Sequence, residues 1–343
     1  MSEKKNTRYS GIGGQAVLEG VMMRNKEKYA VAVRKPDGKI EVKVEEHKEL
    51  GNGSRWKRLP FIRGIFNFID SLILGTKCLT YSASFYEEEE EGKKESRFDQ
   101  TMYKVFGGRA EDVVMGATVC FSVIMAVLIF MVLPYFLTEL LGRVVVNDTL
   151  LALFEAIVRV LIFLSYVVLI SLMKDIQRFY MYHGAEHKCI NCVERGRELN
   201  VENVMKSSRQ HKRCGTSFLL FVIVVSAVLF FFIRVDNLAL KLLLRLLLLP
   251  VIAGISYELI RLAGKYDNVI TAVFSYPGML LQKLTTKEPD KQMVEVAIAS
   301  VEAVFDWKAY FKEAFDYDVD SAEEVREALK EADEQEEVEE VKE

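Results

Sequence analysis

The sequence predicts a mainly α-helical, polytopic membrane protein: about four transmembrane helices with a small α+β cytoplasmic cap that includes an N-terminal β-hairpin. Three observations carry this. Half of the 343 residues are hydrophobic, and they gather in runs at about 113–137, 150–173, 216–235 and 242–262, each near the roughly 20 apolar residues that cross a bilayer. The polar segment between the second and third runs holds nine basic residues over 174–213, whereas 138–149 holds only Arg143. By the positive-inside rule that central segment is cytoplasmic, and with two spans on either side so are both termini. Finally, residues 29–47 alternate apolar and polar side chains on both sides of Pro36-Asp37-Gly38, the pattern of a hairpin.

Taken in order, 1–60 is the N-terminal segment with the hairpin. Its polar opening, MSEKKNTRYS, lacks the charged and apolar regions of a cleaved signal peptide, so the first span is expected to insert the chain. The run GGQAVLEGVMMR at 13–24 reads as an edge strand and turn, with Gln15 and Glu19 as polar members that either face solvent or face a site. Residues 61–112 begin with a helical stripe, Ile62, Ile65, Phe66, Ile69, Leu72 and Ile73, broken by charge too often to span and better suited to the membrane interface. The five-glutamate run Glu87–Glu91 closes that helix as a linker. Spans follow at 113–173, the central segment at 174–215, spans again at 216–262, and a cytoplasmic segment at 263–315. Residues 316–343 carry 14 acidic and 3 basic side chains, a solvated tail. Removing it leaves about +7 on the first 315 residues. That excess is a topology signal, and no nucleic-acid partner is expected.

Four histidines and five cysteines occur in the chain, and six of those nine lie in the 32 residues from His183 to Cys214, where an even scatter would put about one. His183 and His187 are four apart, hence on one helical face, and Glu186 completes H-x-x-E-H, the reverse-order zinc hydrolase signature. A zinc or similar divalent ion is therefore the expected cofactor. In one reading His211, Cys214 or Glu258 supplies a third ligand, and Glu186 acts as general base toward an activated water. In another, Cys189-x-x-Cys192 and His211-x-x-Cys214 close a four-ligand structural site. In a third the histidines only hydrogen-bond within a polar cap. The cytoplasm is reducing, so these cysteines are free thiols or ligands rather than disulfides. Within the second run, Glu155 and Arg159 are four apart and pair, as a structural ion pair or as a substrate contact.

The blocks GGQAVLEGVMMR (13–24), AVRKPDGKI (32–40), YHGAEHKCIN (182–191), SRQHKRCGTSF (208–218), GISYELIRLAG (254–264) and LQKLTTKEPD (281–290) resemble those of the YqhQ family, bacterial polytopic membrane proteins at times described as predicted metal-dependent enzymes. The resemblance runs from about residue 11 to 310. It implies that Gln15, Glu19, Arg24, His183, Glu186, His187, His211 and Cys214 belong to one functional unit, and it supplies no reaction. Lys212 stands where the family pattern commonly has proline, and the acidic tail is an extension.

The expected function is a zinc hydrolase in the bacterial inner membrane, working at its cytoplasmic face on a peptide or lipid-linked substrate. The alternatives are a zinc-stabilised scaffold or regulator that binds a protein partner, and a transporter, which four spans allow only as a homo-oligomer.

Overall fold

The computed structural model describes residues 8–87, 110–235, 237–265 and 269–320. The chain runs through β1 (Gly13–Val17), β2 (Gly20–Asn25), β3 (Lys28–Arg34) and β4 (Ile40–Glu46), then a 3₁₀ turn at Arg55–Arg58, α1 (Ile62–Glu87) and α2 (Ala110–Val127). A π-helical turn, Leu128–Val132, leads into α3 (Leu133–Gly142) and α4 (Asp148–Ser171). There follow α5 (Lys174–Glu194), α6 (Val201–Met205), α7 (Gly215–Phe231), α8 (Leu238–Lys265), α9 (Val269–Thr285), α10 (Lys291–Glu302) and α11 (Trp307–Phe315). These elements fold as two compact units. The first comprises the described parts of Met1–Lys48, Arg178–His211 and Thr286–Glu343, the second those of Glu49–Gln177 and Lys212–Thr285.

In the first unit the strands form one antiparallel sheet in the order β1-β2-β3-β4. The expected hairpin at Pro36-Asp37-Gly38 is there as β3 and β4, paired from Lys28↔Glu46 to Arg34↔Ile40. The edge-strand segment 13–24 is itself a second hairpin, paired from Gly13↔Arg24 to Val17↔Gly20. Its two-residue turn places Glu19 at φ 48, a left-handed conformation that costs a non-glycine residue energy unless its surroundings hold it. Strand β3 is buried along most of its length while β4 is mostly exposed, as an inner strand and a charged edge strand should be. Helix α10 closes the sheet's core with Met293, Val294, Val296, Ala297 and Val301. Asp290 caps it by accepting from the Met293 amide at 2.8 Å.

Among the described residues, the second unit holds three helical segments long and apolar enough to cross a membrane: Gly116–Gly142, Asp148–Ser171 and Leu238–Gly264. The sequence leads one to expect four. The apolar run at 216–235 becomes α7, which ends at Phe231 after 17 residues. At ~1.5 Å per residue that is about 25 Å, roughly a turn short of a typical hydrocarbon core. Helix α7 packs against α4, α8 and α9. The expected helix at 60–86 is α1, which lies along α8. Glu88–Glu91 of the glutamate run and the tail from 321 onward fall outside the described residues.

Candidate metal centre

The histidines stand on α5. Two consequences of helical periodicity meet here: His183 and His187 stack with ring centroids 4.4 Å apart, and Glu186 flanks both. Its Oε2 is 3.8 Å from His183 Nε2 and 3.9 Å from His187 Nε2, beyond direct hydrogen bonding. His187 is 1% exposed and Glu186 4%, so the carboxylate and the imidazole face each other away from bulk water. Between them, Gly184 is dictated by packing. A Cβ there would lie 2.0 Å from the Lys287 carbonyl oxygen, because the 286–289 segment crosses the helix with Lys287 N donating to Tyr180 O at 2.8 Å.

His211 reaches this region because three side chains of α5 hold the loop before it by its carbonyls. His187 Nδ1 lies 2.7 Å from Arg209 O. A carbonyl only accepts, so Nδ1 carries the proton, the tautomer that orients metal-binding histidines. Lys188 Nζ donates to Met205 O and Ser207 O at 2.7 and 3.0 Å and pairs with Glu288 at 2.5 Å. Asn191 Nδ2 donates to Ser208 O and Gln210 O at 2.7 and 3.0 Å. The His211 ring then lies 5.8 Å from that of His187, with its Nε2 3.5 Å from Glu194 Oε2. Glu194 also anchors the chain's N-terminal stretch, accepting from Ser10 N and Oγ at 3.1 and 3.0 Å.

The glycine-rich opening packs against the same helix. A Cβ on Gly14 would meet Met22 O at 2.5 Å and Glu186 Cγ at 3.0 Å, so only glycine lets β1 come this close to the H-x-x-E-H carboxylate. Gln15 is half-buried on β1. Glu19 is held by Arg178: Nη2 donates to Oε2 at 2.5 Å, Nε donates to Oε1, and Tyr182 Oη lies 3.2 Å from Oε2. The same carboxylate raises the Arg178 pKa. Glu19 is thus the brace that holds its own strained turn against α5. Arg24 sits at the far end of β2, its Nε donating to Lys26 O at 3.0 Å.

The cysteines divide. Cys189 and Cys192 belong to the hydrophobic core. Burial pushes the Cys189 thiol well up and the Cys192 thiol to about 11, so both are held as neutral thiols. Cys192 donates to Arg197 O and Glu198 O at 3.4 Å. The four-ligand site that pairs this C-x-x-C with His211-x-x-Cys214 loses its motive, since core packing accounts for both sulfurs. Cys214 follows His211 by three residues and caps α7, its Sγ accepting from Thr216 N at 3.4 Å. Cys214 belongs to the second unit and His183 and His187 to the first; imidazole and thiol are borderline donors of the kind zinc takes. Glu258, in the second unit, is clasped by Arg63, with Nε donating to Oε1 at 2.6 Å and Nη2 to Oε2. That clasp makes Glu258 one half of a salt bridge between α1 and α8. Sequence reasoning missed Glu194, Lys188 and Asn191. Their signal was in the α5 periodicity, since 187, 191 and 194 follow at helical intervals, but Lys188 and Asn191 bond backbone carbonyls and Glu194 bonds Ser10, partners that no motif displays.

Comparison with known proteins places these residues in context. The family model described as Protein of unknown function (DUF1385) matches residues 59–307. Uncharacterized protein YqhQ of Bacillus subtilis (strain 168) is 36% identical over 293 residues, which cover 84% of this chain and 90% of that protein. No solved structure matches.

Proposed function

This chain belongs to the DUF1385 family and is a relative of YqhQ, and from that premise we propose that it is a membrane metalloprotein whose α5 histidines form a hydrolytic centre at the cytoplasmic face of the bacterial inner membrane. The observation that carries the reading is the position of Glu186, whose Oε2 is nearly equidistant from both imidazole Nε2 atoms and too far to bond either. His183 and His187, side by side on α5, are the donors for a zinc-type ion. Such an ion supplies Lewis acidity and acidifies water beside a substrate carbonyl or phosphoryl group. Glu186 accepts the proton at Oε2, and burial keeps that carboxylate from being screened by solvent. The substrate class that suits a membrane-borne centre is a peptide or a lipid-linked molecule.

A second reading has support from burial. Tyr182 and every residue from Gly184 to Glu194 are buried, so an ion there would also pin α5 within the first unit's core. The two readings part at Glu186→Gln. The hydrolase expects about one transition-metal ion per chain by elemental analysis, lost in His183→Ala/His187→Ala. It expects Glu186→Gln to keep the metal and the fold yet fail to complement a deletion strain, since loss of a general base costs about 10²–10⁴ in rate. Full complementation by a metal-loaded Glu186→Gln protein leaves the structural reading. Wild type without stoichiometric metal ends both.

A further inference from the structure

A second cluster of buried charge, inside the second unit, has no part in the proposed hydrolysis. Glu155 on α4 and Arg245 on α8 each lie seven residues in from their helix starts, Asp148 and Leu238, which is about 10 Å along each axis. Glu155 Oε1 accepts from Arg159 Nη2 and stands equally close to Arg245 Nη2, at 2.6 Å in both cases. Both guanidiniums lie over the Phe230 ring, with Cζ 4.8 and 5.1 Å from its centroid. Arg159 turns its Nε to the Phe130 carbonyl at 3.2 Å, in the π-helical turn where the regular ladder is interrupted. One carboxylate thus serves two cations.

Arg245 is 1% exposed, yet its Nε and Nη1 have no hydrogen-bond partner among the described residues. A buried guanidinium with two unsatisfied donors is costly. Arg245 is among the residues that line a cavity of about 570 Å³. Five cations line it: Arg143, Arg159, Arg234, Lys241 and Arg245. The acids are Glu139, Asp148 and Glu155, which leaves a formal excess of two positive charges (5 − 3) among the described residues. Its rim includes Gly142, Asp148, Arg234 and Val235, at the C-terminal end of α3 and α7 and the N-terminal end of α4 and α8.

We propose that this cavity binds a phosphate-bearing anion, with the Arg245 fork as its principal contact and Glu155 holding the fork in place. A phosphate offers several acceptor oxygens to a guanidinium that lines the cavity with donors left unsatisfied among the described residues, and its charge balances the excess around it. The same chemistry reaches the cavity on a phospholipid headgroup or as a soluble phosphate.

The test is native mass spectrometry of the full-length protein in detergent, titrated with phosphatidylglycerol, with diacylglycerol of the same acyl chains, and with inorganic phosphate. Wild type should bind phosphatidylglycerol or phosphate one to one, with phosphatidylglycerol roughly tenfold tighter than diacylglycerol if the lipid is the source, the worth of a charge-assisted hydrogen bond. Inorganic phosphate that binds alone and displaces the lipid identifies a soluble anion instead. Arg245→Met, which leaves Glu155 paired with Arg159, should abolish the preference. Arg245→Lys, which keeps the charge and removes the fork, should weaken it by about threefold while diacylglycerol binding stays unchanged. Wild type that shows no preference for either phosphate ligand overturns the proposal, as do both variants binding with wild-type affinity.

Discussion

In the first unit, Lys188 and Asn191 on α5 donate to the carbonyls of Met205, Ser207, Ser208 and Gln210, and His187 Nδ1 donates to that of Arg209. The second unit treats buried charge differently: Arg159 and Arg245 crowd one carboxylate oxygen, and Arg245 keeps two donors unsatisfied among the described residues. Backbone carbonyls are fixed acceptors, so the first arrangement holds its side chains in place and suits a centre that must hold geometry. Unsatisfied donors beside a cavity are a store of unfavourable energy that an anion would release. One region is organised for position, the other for binding.

The harshest way to break that comparison is Glu155→Ala. It leaves Arg159 and Arg245 together with no carboxylate, and loss of one partner from a buried ion cluster costs about 3–5 kcal/mol. The unfolding midpoint of the detergent-solubilised protein should fall accordingly, and a midpoint within error of wild type would mean the cluster is already wet. Next comes Gly184→Ala. Its methyl meets the Lys287 carbonyl at 2.0 Å, so the crossing segment must shift, at about 1–3 kcal/mol. Because the same helix turn carries His183 and Glu186, metal retention should drop with stability, and retention unchanged beside a lowered midpoint would separate packing from the site.

Asn191→Ala is gentler. Two bonds to the loop carbonyls are lost, worth about 1–2 kcal/mol, and hydrogen exchange over 205–211 should quicken because that loop is what brings His211 to α5. Exchange at the wild-type rate would show the loop to be held by Lys188 and His187 alone. The smallest disturbance is chemical. The Cys192 thiol, raised to about 11 from the ordinary 9.0, should react with iodoacetamide at pH 8 roughly a hundredfold more slowly than a thiol of ordinary pKa. In the folded state it keeps its proton to higher pH than in the unfolded state. Its contribution to stability is therefore full below pH 9 and is lost as pH climbs toward 11. Rapid labelling of Cys192 at pH 8 would contradict a core position.

The apolar runs, the basic central segment, the β3–β4 alternation and the H-x-x-E-H spacing needed only local chemistry, so the sequence by itself determined the helical class, the hairpin and the side-by-side placement of His183, Glu186 and His187. Where a run ends is also local in principle, yet α7 stops at Phe231 although apolar residues continue past it, since chain termination depends on what a helix packs against. The partners of buried polar groups lie outside local rules altogether. Gly14 beside Glu186, Glu19 under Arg178 and Glu194 against Ser10 join residues about 160–185 positions apart, and only the folded chain brings them together. The same holds for Arg245. In sequence it is one charge in a leucine-rich run. Only tertiary packing set it against the oxygen that Arg159 already holds and left its other nitrogens without partners among the described residues, because hydrogen-bond satisfaction is a property of the whole surroundings rather than of any segment.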